Sequence, residues 1–374
     1  MENLEDTECW AGSIKQLHLR YLLLDSKTGY RSKYHSLSAI AKSFGEYKIS
    51  CIFVTLVPAK PLNNAQIGGA FYFIFMGPFK KKYSSPDELT RLLKSRGLLI
   101  TDSGRAEAYL RNIGYYRLSA YMLPFLSIPK TDHQFKPGTT FDNVLDLYRF
   151  DKKLRVLLFN EIEKIEIAFR EAVANVAAEM TGDIFWITNP IHFKNSNVYA
   201  KTFSLIKSEY SKSTEDFIKH FNATYSEPFA PAWMISEIIP FGTTLQLYKN
   251  LSDQRIRKQI ARQFYLQPQA LESWITTLAL TRNACCHHSR VWNKVNLIIP
   301  ADAKKMSRPW LLLPTVKDRV YFNICIIAYF LNIISPNNDF KGKLLALFKH
   351  FPQIDLRAMG FPSGWENEPL WKQR

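Results

Sequence analysis

A run of about forty residues with apolar side chains at helical spacing is the feature that most constrains this fold. It extends from Phe141 to about Met180, and its apolar positions recur every three or four residues: Val144, Leu147, Tyr148, Phe150, Leu154, Leu157, Leu158, Ile162, Ile165 and Phe169. Charges of opposite sign pair at four-residue spacing, as in Glu166 and Arg170. Because strand-like alternation is almost absent after Met76, the body of the chain is predicted to be all-α.

Other helices are predicted from start and stop signals. Ser85 can cap a helix that begins at Pro86, carries Asp87 and Glu88 in its first turn and ends before Gly97. A Pro/Gly/Thr-rich loop is expected over residues 129–140. Further helices are predicted at about 103–113, 199–212, 233–247, 252–264, 268–292, 316–334 and 341–350. The longest apolar run, residues 320–334, is shorter than the ~20 residues that span a bilayer, so we interpret it as a buried helix.

The first 75 residues differ from the rest. Their apolar runs, residues 49–57 and 71–75, are short, typical of β-strands and separated by proline, asparagine and glycine. We expect residues 1–75 to be an atypical, weakly structured extension upstream of a true start at Met76; a genuine accessory domain is the alternative. Residues 76–140 are then an N-terminal helical part, 141–350 the main helical domain and 351–374 a C-terminal tail. Loss of folding in a chain that starts at Met76 would rule out this interpretation.

Charge and cysteine usage limit the function classes. The formal charge of +16 favours a polyanionic partner, either nucleic acid or an anionic membrane surface. A peripheral membrane protein would need a clear basic amphipathic helix, and none is evident, so no membrane partner is expected. Five unevenly spaced cysteines and an acidic N-terminus in place of a signal peptide indicate a cytoplasmic protein.

One segment of the predicted helix 268–292 carries candidate chemistry. Arg282 falls within its apolar stripe, where a guanidinium is costly unless an anion or a partner meets it. Asn283 and His287 lie four residues apart on one side of the helix, with Arg290 one turn further, whereas His288 points elsewhere. Arginine can hold a phosphate, histidine can transfer protons near neutral pH, and asparagine can orient either. These residue types suit metal-independent RNA cleavage.

Spacing alone leaves a structural interpretation equally open, namely a buried arginine capped by carbonyls beside a surface histidine pair. Zinc binding by the run Cys285-Cys286-His287-His288 is not expected, because four adjacent helical residues fan around the axis.

Five blocks in order resemble the AbiD/AbiF-like branch of abortive-infection (Abi) proteins in the HEPN ribonuclease superfamily. They cover roughly residues 78–334: Leu92-Leu-Lys-Ser-Arg-Gly97, Tyr109-Leu-Arg-Asn-Ile-Gly-Tyr-Tyr-Arg-Leu-Ser119, Tyr148-Arg-Phe-Asp-Lys-Lys-Leu-Arg155, Ile162-Glu-Lys-Ile-Glu166 and Arg282-Asn-Ala-Cys-Cys-His-His-Ser-Arg-Val-Trp-Asn293. The Arg-x(4–6)-His pattern alone is weakly specific, but the ordered set is not. Cys286 departs from the small residue that relatives often carry, which affects packing alone.

The resemblance implies a HEPN-like helical bundle with an N-terminal helical subdomain. It makes Arg282, Asn283 and His287 the catalytic residues, with no metal and no cofactor. Because HEPN nucleases bring two motifs together and this chain has one, it also implies a two-fold homodimer with a composite site. Small noncoding RNAs are associated with AbiF-like relatives, so an RNA antitoxin is an expected partner beside the RNA substrate.

The remaining blocks are interpreted as mostly structural. Tyr115, Tyr116 and Arg117 follow a helix-ending glycine and are expected to pack in the core more often than to bind RNA. Residues considered for RNA binding are Arg290, Tyr116, Arg117 and His288, while Asp151, Arg155, Glu166 and Arg170 are expected to form an ion network between helices. Two functions are carried forward: an endoribonuclease toxin of phage defence, and a non-catalytic RNA-binding protein whose motif only holds phosphate.

Overall fold

The computed structural model describes the strand residues 18–25, 29–36, 53–54 and 73–74, and residues 81–304 and 306–372. The chain divides into two compact units, residues 1–83 and 84–374. In the first, β1 (His18–Asp25) pairs antiparallel with β2 (Gly29–Ser36), and β3 (Phe53–Val54) with β4 (Phe73–Ile74). The runs predicted to favour strand contain β3 and β4, whereas the β1–β2 hairpin was not predicted. The expectation that residues 1–75 precede the true start stays a prediction.

Three short helices open the second unit. The helix α1 (Pro86–Ser95) begins with the predicted cap: the Ser85 hydroxyl accepts from the amide of Glu88, and the Glu88 carboxylate accepts from the amide of Ser85. Gly97, at φ 86°, ends it. After α2 (Ser103–Ile113), Gly114 turns the chain directly into α3 (Tyr115–Met122), a helix that was not predicted.

The predicted long helix is confirmed as α4 (Phe141–Thr181), whose 41 residues extend about 60 Å. Thr140 and Asn143 cap its start reciprocally. Most of the other helices pack against it, and most of its predicted apolar positions are fully buried. This helix is therefore the scaffold on which the rest of the unit is positioned.

Eight further helices follow: α5 (Ser196–Lys212), α6 (Asp216–Thr224), α7 (Ala232–Ile238), α8 (Phe241–Asn250), α9 (Gln254–Gln263), α10 (Pro268–Cys286), α11 (Val320–Ile334) and α12 (Phe340–His350). Over the part of this unit that the structure describes, the secondary structure is helical apart from isolated β-bridges, so the prediction of an all-α body is confirmed. The predicted single helix 233–247 is wrong, because Pro240 separates α7 from α8. The apolar α11 is buried, as expected, and no helix of the described residues is long and apolar enough to cross a membrane.

A buried carboxylate ties α12 to α4. Glu161 is fully buried, and its two oxygens accept from Lys164 at 2.6 Å and from Lys343 at 2.9 Å. Burial alone would raise the pKa of Glu161, but the two ammonium groups outweigh it and hold that pKa below its ordinary value. Beyond α12, in the segment predicted as a C-terminal tail, Met359, Trp365 and Trp371 are buried in the core.

Candidate active site

The C-terminal end of α10 carries the candidate catalytic residues. Its apolar face is buried as predicted, but the helix ends at Cys286, six residues before the predicted end. His287 is the C-cap, its amide donating to the carbonyl of Asn283 at 2.9 Å, and His288 turns the chain away with a left-handed φ of 55°. Arg290 therefore does not continue the helical face, and that expectation is wrong.

Arg282 finds the anion that its position required. Its Nε lies 3.5 Å from Oε2 of Glu166, and its guanidinium lies 5.8 Å above the ring of Phe159. The Nε atom is buried and makes no hydrogen bond with the described residues, so the contact with Glu166 is an ion pair without hydrogen-bond alignment. The side chain remains 33% exposed. Glu166 and Phe159 thus hold the guanidinium at the surface.

Asn283 and His287 are both exposed at the end of α10. Leu280, Asn283 and His287 lie at spacings of three and four and share the solvent face of the last turns of α10. The Asn283 side chain contacts the guanidinium, with Nη1 of Arg282 lying 3.4 Å from Oδ1. The His287 imidazole bonds to no residue within the described ranges, so it is free to meet a ligand.

Glu166 lies between two guanidiniums. Its Oε1 accepts from Arg170 at 2.5 Å, and Arg170 also reaches the backbone carbonyl of Glu237 at 3.4 Å. One carboxylate therefore faces two arginines, and this cluster keeps a net positive charge that favours an anionic ligand. The pair Glu166–Arg170 lies within α4 rather than between helices.

A second buried pair on α4 anchors the chain that follows the motif. Asp151 accepts from Arg155 and, at 2.6 Å, from the hydroxyl of Tyr121. Its Oδ1 also accepts from the amides of Val291 at 3.1 Å and Trp292 at 2.6 Å. Burial and the adjacent carboxylate raise the pKa of the Tyr121 hydroxyl, which stays protonated and donates. Asp151 thereby fixes the loop that begins at His287. The expected network between helices is instead two pairs within α4, each with partners on α10 or the loop after it.

The residues considered for RNA binding lie near that loop, in different environments. Tyr116 is 92% exposed, so the expectation that it packs in the core is wrong, whereas Tyr115 does pack there. Arg117 donates to the carbonyl of the exposed His288 at 2.6 Å, and Arg290 donates to the carbonyl of Ala120 at 3.3 Å. The start of α3 therefore lies against the end of the motif, and a role for any of the four in RNA binding stays a prediction.

Sequence reasoning missed the opposite side of the site. Arg282 and Asn283 line a cleft of about 220 Å³ together with residues at the start of α8, among them Gly242, Thr243 and Gln246. The signal was Pro240, which should have marked a helix start rather than a position inside a longer helix. No cluster of three or more potential metal ligands occurs in the described ranges, and Cys285, Cys286 and Cys325 are free thiols.

Comparison with known proteins gives one match. No curated protein and no solved structure matches the chain. Residues 108–293, about half of the chain, match the model of the family described as Abi-like protein. The matched segment includes α4, both sides of the cleft and the whole motif at the end of α10. The chain therefore belongs to the Abi-like protein family, which implies a role in abortive infection.

Proposed function

We propose that this protein is a metal-independent endoribonuclease of the HEPN superfamily that acts as a toxin in abortive infection. The observation that supports the proposal best is the arrangement at the end of α10. A guanidinium held by Glu166 contacts an exposed amide, Asn283, and the next turn carries an exposed imidazole without a partner in the described chain, His287. The solvent-accessible end of α10 therefore carries both a cationic group and a group that can transfer protons.

These side chains can carry out cleavage through the ribose 2′-hydroxyl. An imidazole takes the 2′-hydroxyl proton as the oxygen attacks phosphorus, and the bond from phosphorus to the 5′-oxygen breaks. The leaving oxygen takes up a proton, so the products are a 2′,3′-cyclic phosphate and a 5′-hydroxyl. Arg282 offsets the charge that develops on the phosphate oxygens, and the Asn283 amide donates to one of them.

Two proton transfers at opposite sides of one phosphorus suit two imidazoles, one acting as base and the other as acid. A single chain contributes only one His287 imidazole to the site. We propose that a second copy of the chain contributes the second imidazole. A two-fold axis beside the end of α10 would bring two motifs to one composite site.

The surface next to the motif is suitable for such contact. Val156 and Ile167 lie on one exposed face of α4, here called the α4 stripe, with Asn160 and Glu163 between them. Phe159 borders this face and lies under the guanidinium of Arg282. Leu280 is also exposed, on α10. Exposed apolar residues beside a candidate site are available for a protein–protein contact.

RNA is the proposed substrate, and a small noncoding RNA the proposed restraint, in keeping with the charge of +16. RNA ends should be mapped in cells that express the wild type, the double variant Arg282→Ala/His287→Ala, or the control His220→Ala on the exposed face of α6. New 5′-hydroxyl ends should appear with the wild type and the control and disappear with the double variant. Cleavage that survives in the double variant contradicts the proposal; RNA binding without cleavage in the wild type would instead favour a non-catalytic RNA-binding protein.

A further inference from the structure

The cleft beside Arg282, here called the α8 cleft, is bordered by the N-terminal end of α8, by Thr202 and Leu205 of α5, and by Arg282 and Asn283 of α10. Its volume of about 220 Å³ is below the 300 Å³ or more that is usual for small-molecule pockets. It has room for a compact group such as one phosphate with part of a ribose.

The first backbone amides of α8 are available to bind a ligand. Pro240, its N-cap, has no side-chain acceptor, and the first turn carries no acidic residue. The amides of Thr243 and Thr244 bond to the Pro240 carbonyl, while those of Phe241 and Gly242 find no acceptor within the part of the chain that the structure describes. Gly242 is exposed, and a Cβ there would meet nothing within 4 Å, so a ligand can approach this backbone closely. Free amides at the positive end of a helix favour an anion.

A buried hydroxyl in the same cleft lacks a partner. Thr243 lines the cleft and is only 7% exposed, yet its hydroxyl makes no hydrogen bond to any described residue. The hydroxyl is not sealed from solvent, so a ligand in the cleft can reach it. A largely buried side chain whose hydroxyl has no protein partner is available to hydrogen-bond with a polar ligand there.

Charge on the other side of the cleft has the same sign. Arg282 lies there, and Glu166, the carboxylate beside it, also binds Arg170. The Gln246 amide is exposed at the rim and can donate as well. Two independent sources of positive potential, a helix terminus and a guanidinium, therefore face one small cavity.

We propose that the α8 cleft binds one phosphate of the RNA backbone, the neighbour of the phosphate that is cleaved. The amides of Phe241 and Gly242 and the hydroxyl of Thr243 hold this phosphate, and Arg282 lies between it and the scissile phosphate at His287. The assignment rests on the proposed ribonuclease function and adds a positioning subsite to it, because His287 does not line the cleft whereas Arg282 does.

Substitutions at Gly242 can distinguish the effect of a side chain's charge on RNA binding from the effect of its shape. The space around its Cβ accepts a side chain, and an acidic residue at the second position of a helix is favourable for folding. Gly242→Asp should therefore fold at least as stably as the wild type while placing a carboxylate in the cleft. Gly242→Asn is the neutral control of equal size, and Gly242→Ala is the minimal one.

Binding is measured by fluorescence anisotropy with a labelled RNA oligonucleotide whose riboses are 2′-O-methylated and cannot be cleaved. Gly242→Asp should weaken binding at least about tenfold relative to Gly242→Asn, since hydrogen bonds to a charged group are lost and repulsion is added. The difference should shrink as salt rises. Thr243→Val, which removes the hydroxyl at constant shape, should weaken binding several-fold without loss of thermal stability.

Equal RNA affinities of Gly242→Asp and Gly242→Asn would overturn the subsite. A loss of RNA affinity in Gly242→Ala as large as that in Gly242→Asp would also overturn it, because the effect would then come from the shape of the side chain and not from its charge. Wild type that does not bind the oligonucleotide also overturns it. If inorganic phosphate or a mononucleotide shows the difference between Gly242→Asp and Gly242→Asn and RNA does not, the cleft holds a free phosphate compound and the RNA assignment is wrong. If the wild type cleaves RNA but Gly242→Asp and Gly242→Asn bind RNA equally, the subsite is refuted and the ribonuclease function is not. If the two variants differ in RNA affinity but the wild type does not cleave RNA, the ribonuclease function is refuted and the subsite is not.

Discussion

Removal of the Asp151 carboxylate tests whether the loop after the motif is held as described. Asp151→Ala leaves Arg155, which is 5% exposed, without a counter-charge. Breaking a buried pair from one side costs about 3–5 kcal/mol. The amides of Val291 and Trp292 also lose their acceptor, at about 1–3 kcal/mol each when no water replaces it. These losses overlap, and we expect the free energy of unfolding to fall by about 5 kcal/mol.

The chain contains a matched control for this experiment. Asp87 and Arg91 form an ion pair with the same residue types and the same four-residue spacing on α1, but both side chains are more than half exposed. Asp87→Ala should cost less than about 1 kcal/mol. Urea unfolding at unchanged m-value measures both. Asp151→Asn, which keeps an oxygen for the loop amides, should be intermediate. A cost for Asp151→Ala no larger than that for Asp87→Ala would refute the reasoning.

Three further predictions concern other parts of the molecule. Because its pKa is lowered in the folded protein, ionised Glu161 stabilises the fold above its unfolded-state pKa, and this stabilisation is lost as pH falls through its folded-state pKa. Glu161→Gln should therefore reduce the decline in thermal stability below about pH 4, measured by thermal unfolding. An unchanged slope of stability against pH contradicts this prediction. Burial raises the pKa of the Cys285 thiol to about 12. Iodoacetamide at pH 8 should therefore modify the half-buried Cys286 and not Cys285 in the native protein, as measured by peptide mass spectrometry. Faster reaction of Cys285 than of Cys286 would show that the end of α10 opens. If the α4 stripe is the dimer contact, Ile167→Glu should convert the dimer to a monomer in light scattering. Ile191 is exposed on another part of the surface, so Ile191→Glu should leave the dimer intact. A dimer in both variants, or a monomeric wild type that cleaves RNA, excludes that interface.

Local signals predicted the elements that depend on local chemistry. The start of α1 was readable because Ser85 and Glu88 satisfy each other's backbone amides within one turn. The long helix α4 was readable because its buried stripe persists over eleven turns. The position of Pro240 was misjudged because apolar spacing continues across it, although proline cannot donate to a preceding carbonyl.

Long-range partners account for what was missed at the site. The sequence indicates that Arg282 needs an anion, but nothing local identifies Glu166, which lies 116 residues earlier. Beyond the early end of α10, the amides of Val291 and Trp292 donate to Asp151, which lies on another helix. No pattern within the motif reports that contact. Family resemblance supplied the candidate residues, while the cleft at Gly242 emerged only when α8 was placed beside α10.

The central claim is that Arg282 and His287 act together on a phosphodiester, and purified protein with labelled RNA tests it most directly. In EDTA, wild type should cut RNA and leave a 2′,3′-cyclic phosphate on one fragment. Arg282→Ala and His287→Ala should each slow cleavage by about 10²-fold or more, while His220→Ala cleaves normally. Cleavage that needs a divalent ion, that leaves other ends, or that continues at wild-type rate in both variants would contradict the account.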